Sequence, residues 1–440
     1  MDYKDALDWL YSFRKFGSKL GLERISYLVE RLGNPHWNYK VIHVSGTNGK
    51  GSVCNFIGSI LQKAGYRVGV YISPHLQRFS ERIVVNGKEI AEQDVALLVE
   101  KIKPIVDDMI QKQQCPTFFE IVTAMAFQHL SNCTVEYAVV EVGLGGRFDA
   151  TNVVSPILSV ITNISLEHTD VLGENIACIA SEKAGIIKTG VPVITAAKND
   201  ACKTIEQVAR EHKAPVIIVR QADWKRANRD IGHQEFVING CLTDYRVKTS
   251  LLGEYQGENI ALAIATVEQL QMNGVYIPNS CVADGISATA NPGRMEILSV
   301  NPLVLLEGAH NPVGMRMLEK ALREDFAYDT LVLVLGILSD KDIQGMLSII
   351  VPYAGSVIVT KSRNPRAYEP RALWDMIKKI GYDNNVYIED MIPKAVDHAQ
   401  SLADANDLIC ITGSLFTVGE ARSYLLCNAP GHMVECMDST

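Results

Sequence analysis

None of the ten cysteines of this chain forms a C-x-x-C pair, so a zinc site built on clustered thiolates is not expected. Basic residues are not in excess: 42 Lys and Arg stand against 50 Asp and Glu. A general nucleic-acid binder would carry a positive surplus, so that class is set aside, whereas a local basic pocket for an anionic substrate is not. No apolar run is long enough to span a bilayer, and Met1-Asp2-Tyr3-Lys4-Asp5 offers neither a basic n-region nor an apolar h-region. A membrane partner and a secretory leader are therefore not expected. Internal repeats and low-complexity tracts are also missing. These absences point to a cytoplasmic protein with reduced thiols. What is present is ordinary globular material. The 440 residues are 47% hydrophobic and 21% charged, enough for two or three domains with sizeable cores.

The first 40 residues read as helical, ending at Gly33-Asn34-Pro35. Apolar strand candidates then alternate with helical patterns at 41–45, 66–73, 136–142, 157–164, 192–195 and 215–219. Several are continuously apolar, as parallel strands covered on both faces should be. Residues 235–249 alternate polar and apolar around Asn239-Gly240, a hairpin signal, and a long helix pattern follows at 256–273. Asn291-Pro292-Gly293-Arg294 breaks the pattern. A second βα series then begins, with strands near 303–307, 330–336, 356–361, 385–389 and 407–412. The expected fold is α/β. Residues 1–294 form a P-loop-type ATPase domain with a mostly parallel sheet and a smaller antiparallel addition. Residues 295–428 form a Rossmann-like domain, and 429–440 form a loose tail.

The densest motif is His43-Val44-Ser45-Gly46-Thr47-Asn48-Gly49-Lys50-Gly51-Ser52. It joins an apolar strand to a helix whose Val53, Phe56, Ile57, Ile60, Leu61 and Ala64 share one face. Backbone N–H groups in such a turn cradle phosphates, the helix dipole favours their charge, and Lys50 would reach the outer phosphates. The match to the P-loop pattern is imperfect: Val44 stands where its first glycine is expected, and Gly51 separates Lys50 from Ser52. An ordinary glycine-rich strand-to-helix turn remains the alternative.

Glu141 ends the run Tyr137–Val140. A carboxylate at the carboxyl end of a strand beside a phosphate loop suits magnesium, which takes one or two carboxylates plus substrate phosphates. His168 and Ser73 also follow strands and could complete such a shell. Alone, the one reads as a solvated histidine and the other as a turn serine. Lys183, in Ala180-Ser181-Glu182-Lys183, reads by itself as a helix-surface lysine. In the second half, Glu307-Gly308-Ala309-His310-Asn311-Pro312 and Thr412-Gly413-Ser414 place polar groups at strand ends. By itself Asp340-Lys341-Asp342 reads as a solvated loop.

Taken in order, these segments resemble the folylpolyglutamate synthase/dihydrofolate synthase family, a branch of the Mur-ligase-like amide ligases. The similarity also runs through Ser73-Pro74-His75-Leu76, Thr117-Phe118-Phe119-Glu120, Glu141–Asn152, Glu182–Lys188 and Pro292-Gly293-Arg294. The resemblance implies an ATP-driven ligase that joins a folate-type carboxylate to the amine of L-glutamate through an acyl phosphate. Its substrates would be ATP, folate or dihydropteroate, and glutamate. It implies that Gly46, Thr47, Asn48, Gly49, Lys50, Gly51 and Ser52 hold the triphosphate. Asn259, Arg294 and Glu307 would grip the nucleotide from the domain junction. Ser73 and Glu141 would ligate one Mg2+, and His168 a second shared with Glu141. Lys183 would be carbamylated to add an anionic oxygen ligand. Phe119 and Asp149 would lie near the pterin, and His310 and Ser414 near the incoming glutamate. Lys50, Lys183 and His310 would carry the catalysis. The family expectation is a monomer.

Two positions depart from the pattern. Glu307 stands where the family usually has Asp, and Tyr255, in Gly253-Glu254-Tyr255-Gln256, where it usually has His. They leave open a specialised paralogue with a changed carboxylate acceptor, or one that binds nucleotide or folate with weakened catalysis.

Overall fold

The continuous apolar runs of the first half form the interior of one sheet. The computed structural model describes residues 1–17, 19–382 and 384–428, and the tail expected at 429–440 lies outside them. Strands β1 (Lys40–Ser45), β2 (Val68–Tyr71), β3 (Ile83–Val85), β4 (Lys88–Glu89), β5 (Tyr137–Glu141), β6 (Pro156–Ile161), β7 (Val193–Thr195) and β8 (Val216–Ile218) lie in the order β4-β3-β2-β5-β1-β6-β7-β8. β2, β5, β1, β6, β7 and β8 run parallel, while β3 and β4 add an antiparallel edge. The helices 3–11, 23–31, 92–111 and 118–132 bury one face of this sheet. On the other face lies the helix Lys50–Lys63, whose Val53, Phe56, Ile57, Ile60 and Leu61 are fully buried. At roughly 2 kcal/mol per buried side chain, that stripe holds the helix behind the phosphate loop.

The antiparallel addition has three strands, one more than the hairpin read from the sequence. β9 (Trp224–Arg229), β10 (Gln234–Asn239) and β11 (Asp244–Thr249) lie in the order β11-β10-β9. Phe236, Ile238, Tyr245 and Val247 turn inward against the helix Gln256–Met272.

A second sheet comprises β12 (Glu296–Val300), β13 (Leu303–Glu307), β14 (Leu331–Leu335), β15 (Ser356–Val359), β16 (Asn385–Ile388) and β17 (Leu408–Thr412), in the order β12-β13-β17-β14-β15-β16. Only β12 is antiparallel to its neighbour. Apolar clusters cover both of its faces.

The two halves of the chain are tied together at several points. Arg226 and Arg229 of β9 both pair with Asp325, and Glu254 pairs with Lys320. Arg422, in the terminal helix, donates to Gln77 and Glu296. Among the described residues no helix is long and apolar enough to cross a membrane.

Eight of the cysteines are free thiols.

Candidate active site

The chain turns sharply out of β1 because two glycines permit it. Gly46 and Gly49 have φ of 140° and 85°, and a Cβ at either would overlap Thr162 or Asn259. The turn is held from β6: Thr47 N donates to Asn163 O at 2.8 Å, and Asn48 N to Asn163 Oδ1 at 3.1 Å. Lys50 begins the helix and folds back, its Nζ donating to the carbonyls of Gly46 and Thr47 at 3.1 and 3.0 Å. Ser52 accepts from Asn291 Nδ2 at 3.0 Å, at the edge of the second sheet's domain.

Glu141 ends β5 beside this loop and is 5% exposed. Its Oε2 accepts the Ser73 N–H at 2.9 Å. Burial raises its pKa, with Lys50 opposing. The extra residue Gly51 lies opposite: a Cβ there would sit 3.8 Å from Glu141 Oε2.

Lys183 corrects its isolated reading. It is 2% exposed, not on the surface. The helix Ile176–Ala184 turns Ile179, Ala180, Lys183 and Ala184 inward, so the lysine follows the buried stripe of Ile179 at i+4 spacing. Its Nζ donates to Gly46 O at 2.8 Å and to Glu167 Oε1 at 2.9 Å. Burial drives the amine down to about 8, with Glu167 opposing. For Glu167, burial opposes ionisation, but Lys183 and Lys50 outweigh it and hold the carboxyl at about 2. Glu167 was missed by the sequence reading. Its signal was available, since it follows strand β6 as Glu141 ends β5. The neighbouring His168, at φ 48°, has its pKa lowered by burial and then by Lys341.

Phe119 lies under the loop after β5, so close that a Cβ at Gly143 would strike its ring, and it stacks on Tyr71 at 6.3 Å. The Asp149 carboxylate accepts from Leu144 N at 2.8 Å, Thr151 N at 3.0 Å and Thr151 Oγ1 at 2.5 Å. Most of its acceptor capacity is thus used in shaping that loop.

Across the gap, Glu307 ends β13 at 6% exposure. Its Oε2 accepts Met295 N at 2.8 Å, and Arg294 Nη1 lies 3.8 Å from Oε1. Burial raises its pKa against Arg294. Arg294 also donates to Gly308 O at 3.1 Å. His310 Nδ1 bonds Gly308 O at 2.9 Å; a carbonyl only accepts, so Nδ1 carries the proton and Nε2 is left as an acceptor. Burial and then Arg294 push this histidine down to about 4. Ser414 is buried, and its Oγ caps the following helix by accepting Thr417 N at 3.0 Å. Asn311 Nδ2 reaches Asn48 Oδ1 of the phosphate loop at 3.1 Å. Asp340 is no free loop charge, since Lys341 and Arg366 both pair with it at 3.4 Å.

Every site residue named from the sequence borders one cavity of about 1170 Å³ between the two sheets. Its walls carry Lys50, Lys183, Arg294 and Lys341 against Glu141, Glu167 and Glu307. Among the described residues no three His, Cys, Asp or Glu side chains converge as a metal cage. The donor set is instead one buried carboxylate with a neighbouring serine, and an imidazole beside a second carboxylate. That set fits a hard, partly hydrated cation completed by phosphate oxygens, as Mg2+ is usually bound.

A family model described as the Mur ligase middle domain matches residues 44–267, and one described as the Mur ligase glutamate ligase domain matches 293–415. The dihydrofolate synthase/folylpolyglutamate synthase of Bacillus subtilis (strain 168) is 37% identical over 431 residues, covering 96% of this chain and 99% of the relative. The enzyme of that name from Mycobacterium tuberculosis is 36% identical, covering 91% and 89%. Among solved structures, Mycobacterium tuberculosis folylpolyglutamate synthase complexed with ADP superposes with a TM-score of 0.89 at 34% identity, covering 96% of this chain and 99% of that one. E. coli FolC in complex with DHPP and ADP gives 0.82 at 31% identity, covering 95% and 97%. A phosphate-loop sheet facing a second α/β sheet, with likeness of this extent across both, has one reading: the chain belongs to the folylpolyglutamate synthase/dihydrofolate synthase family of Mur ligases.

Proposed function

We propose that this protein uses ATP to join L-glutamate, through an amide bond, to a folate-type carboxylate. One observation carries the reading. A phosphate loop with its lysine faces, across a single cavity, a second set of strand ends carrying Arg294, His310 and Ser414. Such a cavity can hold a nucleotide, a carboxylate and an amine together, which is the positioning a ligase must supply.

The folate carboxylate would attack the terminal phosphorus of ATP, forming an acyl phosphate and releasing ADP. The glutamate amine would then attack the acyl carbon, and phosphate would leave. The loop Gly46–Ser52 and Lys50 would hold the triphosphate, with Asn259, Arg294 and Glu307 on the nucleoside side. Phe119 and Asp149 would border the pterin, the latter chiefly by shaping its loop. His310 is a weak base at about 4, so its role would be to orient the amine through Nε2 rather than to store its proton. Ser414 would lie beside the glutamate.

Two Mg2+ ions would be held by Ser73, Glu141, His168 and carbamylated Lys183. They would neutralise the phosphate charge. The Lys183 amine, brought down to about 8, is partly unprotonated at neutral pH, the form that reacts with carbon dioxide. In that reaction N–C replaces N–H and a proton is released. We place the domain boundary at 294/295, and the setting we propose is a cytoplasmic monomer acting on small molecules.

The test is ATP-dependent phosphate release with glutamate and either dihydropteroate, tetrahydrofolate or no acceptor, with products weighed by mass spectrometry. One glutamyl unit gained by both acceptors marks a bifunctional synthase, and by tetrahydrofolate alone a polyglutamate extender. No amide with either would defeat the folate reading and favour a different acceptor or lost catalysis.

A further inference from the structure

We infer that Arg82 sets acceptor specificity: its guanidinium takes the second carboxylate of an acceptor that already ends in glutamate, the one that is not joined in the reaction. The inference deepens the ligase reading above and rests on it.

A buried cation needs an anion or several good acceptors around it. Arg82 is 6% exposed and borders the cavity. Among the described residues its side chain makes one hydrogen bond, from Nε to His75 Nδ1 at 2.7 Å. An imidazole nitrogen that accepts leaves the proton on Nε2, so His75 is neutral. Burial and then Arg82 hold that imidazole well below its usual pKa. His75 thus orients the guanidinium without balancing its charge. No carboxylate among the described residues pairs with Arg82. Neither Nη finds an acceptor there, although neither is sealed from the cavity. The acids nearby are engaged elsewhere. Glu81 accepts the N–H groups of Leu76, Gln77 and Arg78, while Glu89 pairs with Arg78 and Glu120 with Arg24.

The sheet fixes where this free fork lies. Arg82 precedes Ile83 of β3, which is opposite Tyr71 of β2, and Tyr71 is opposite Val140 of β5. Glu141 therefore stands two strands from Arg82, about 10 Å between backbones, and the phosphate loop after β1 is one strand further. Arg82 Cζ also lies 5.5 Å from the centre of the Phe118 ring, next to Phe119. An acceptor with its rings at Phe119 and its reacting carboxylate at the phosphate loop passes this point. Tetrahydrofolate ends in glutamate, so its second carboxylate is only a few bonds from the first, and a guanidinium fork matches it. Dihydropteroate has a single carboxylate, the reacting one, and leaves Arg82 without a partner.

The experiment measures kcat and KM for both acceptors in wild type, Arg82→Met and Arg82→Lys. Calorimetry adds the binding of 4-aminobenzoyl-glutamate and 4-aminobenzoate. Arg82→Met should raise KM for tetrahydrofolate and weaken binding of 4-aminobenzoyl-glutamate by about 10- to 100-fold, the loss of a charge-assisted pair. KM for dihydropteroate should not change, which also certifies the fold. Arg82→Lys should recover part of the loss. If Arg82→Met does not fold, Arg82→Lys decides: its penalty should vanish with a tetrahydrofolate whose second carboxylate is an amide. Equal losses for both acceptors would put Arg82 on the reacting carboxylate, and wild-type values for tetrahydrofolate would leave it no acceptor to hold. Either result overturns the inference, as would a wild type that uses dihydropteroate alone. Failure of wild type to make an amide from either acceptor would defeat the ligase reading by itself. Binding of 4-aminobenzoyl-glutamate that Arg82→Met loses would then still support the inference, and equal binding by both proteins would overturn it.

Discussion

Lys50→Ala lowers kcat/KM for ATP by about 10³-fold or more while the protein stays folded. The lysine makes its two hydrogen bonds to carbonyls of its own loop, and it is only partly buried, so water can replace it there. The loop is held independently by Gly46, Gly49 and the bonds from Asn163. The charge of a transferring phosphoryl group has no such substitute. Removal of one preorganised donor from a water-excluded site typically costs about 10²–10³ in rate, and here a full charge goes with it. Kinetics with circular dichroism on the same preparation check both halves of the expectation. Retained activity would mean that this loop does not hold the phosphates.

The second large effect is at Lys183. Lys183→Ala should reduce kcat by about 10²–10³, in the range set by loss of one charge-stabilising group. It should recover part of that rate with formate or acetate. A lysine 2% exposed, with its amine driven down to about 8, is held where the uncharged form is accessible. Once carbamylated it could no longer pair with Glu167 as a cation. Two anions would then face each other beside the phosphate loop, a state that only a bound cation would relieve. A short carboxylic acid in the space left by the alanine would restore the missing oxygen ligand. Labelled carbon dioxide should give a carbonyl resonance in wild type that Lys183→Ala lacks. The same resonance in both proteins, or full activity in the variant, would remove the carbamate from the account. Because the amine loses its proton near 8 rather than 10.5, labelling should rise with pH through about 8.

Legibility in the sequence followed the physics of burial. β1 and its helix could be read because a continuous apolar strand and an i, i+3, i+4 face are both repeated signals. β9 could not. Lys225, Arg226, Asn228 and Arg229 make it an edge strand whose value lies in gripping Asp325, a residue far away in the chain. β3 and β4 are very short, but their Asn86-Gly87 turn was a readable hairpin signal that went unused. Taken alone, Lys183 reads as solvated because of its charge, although its spacing from Ile179 follows the buried stripe. Glu167 could be read as a carboxylate after a strand, but its pairing with Lys183, 16 residues away, lies beyond the range of any local pattern. Glu307 and Tyr255 stood out in the sequence as separate departures. Only the fold brings them to the wall of one cavity.

The most direct test of the account follows the oxygen of the acceptor. A folate-type substrate with heavy oxygen in its reacting carboxylate is incubated with ATP, magnesium and glutamate, and the released phosphate is weighed. The account predicts one labelled oxygen in phosphate for each amide formed, because the carboxylate attacks the terminal phosphorus. Label in AMP, or amide formed with unlabelled phosphate, would contradict it.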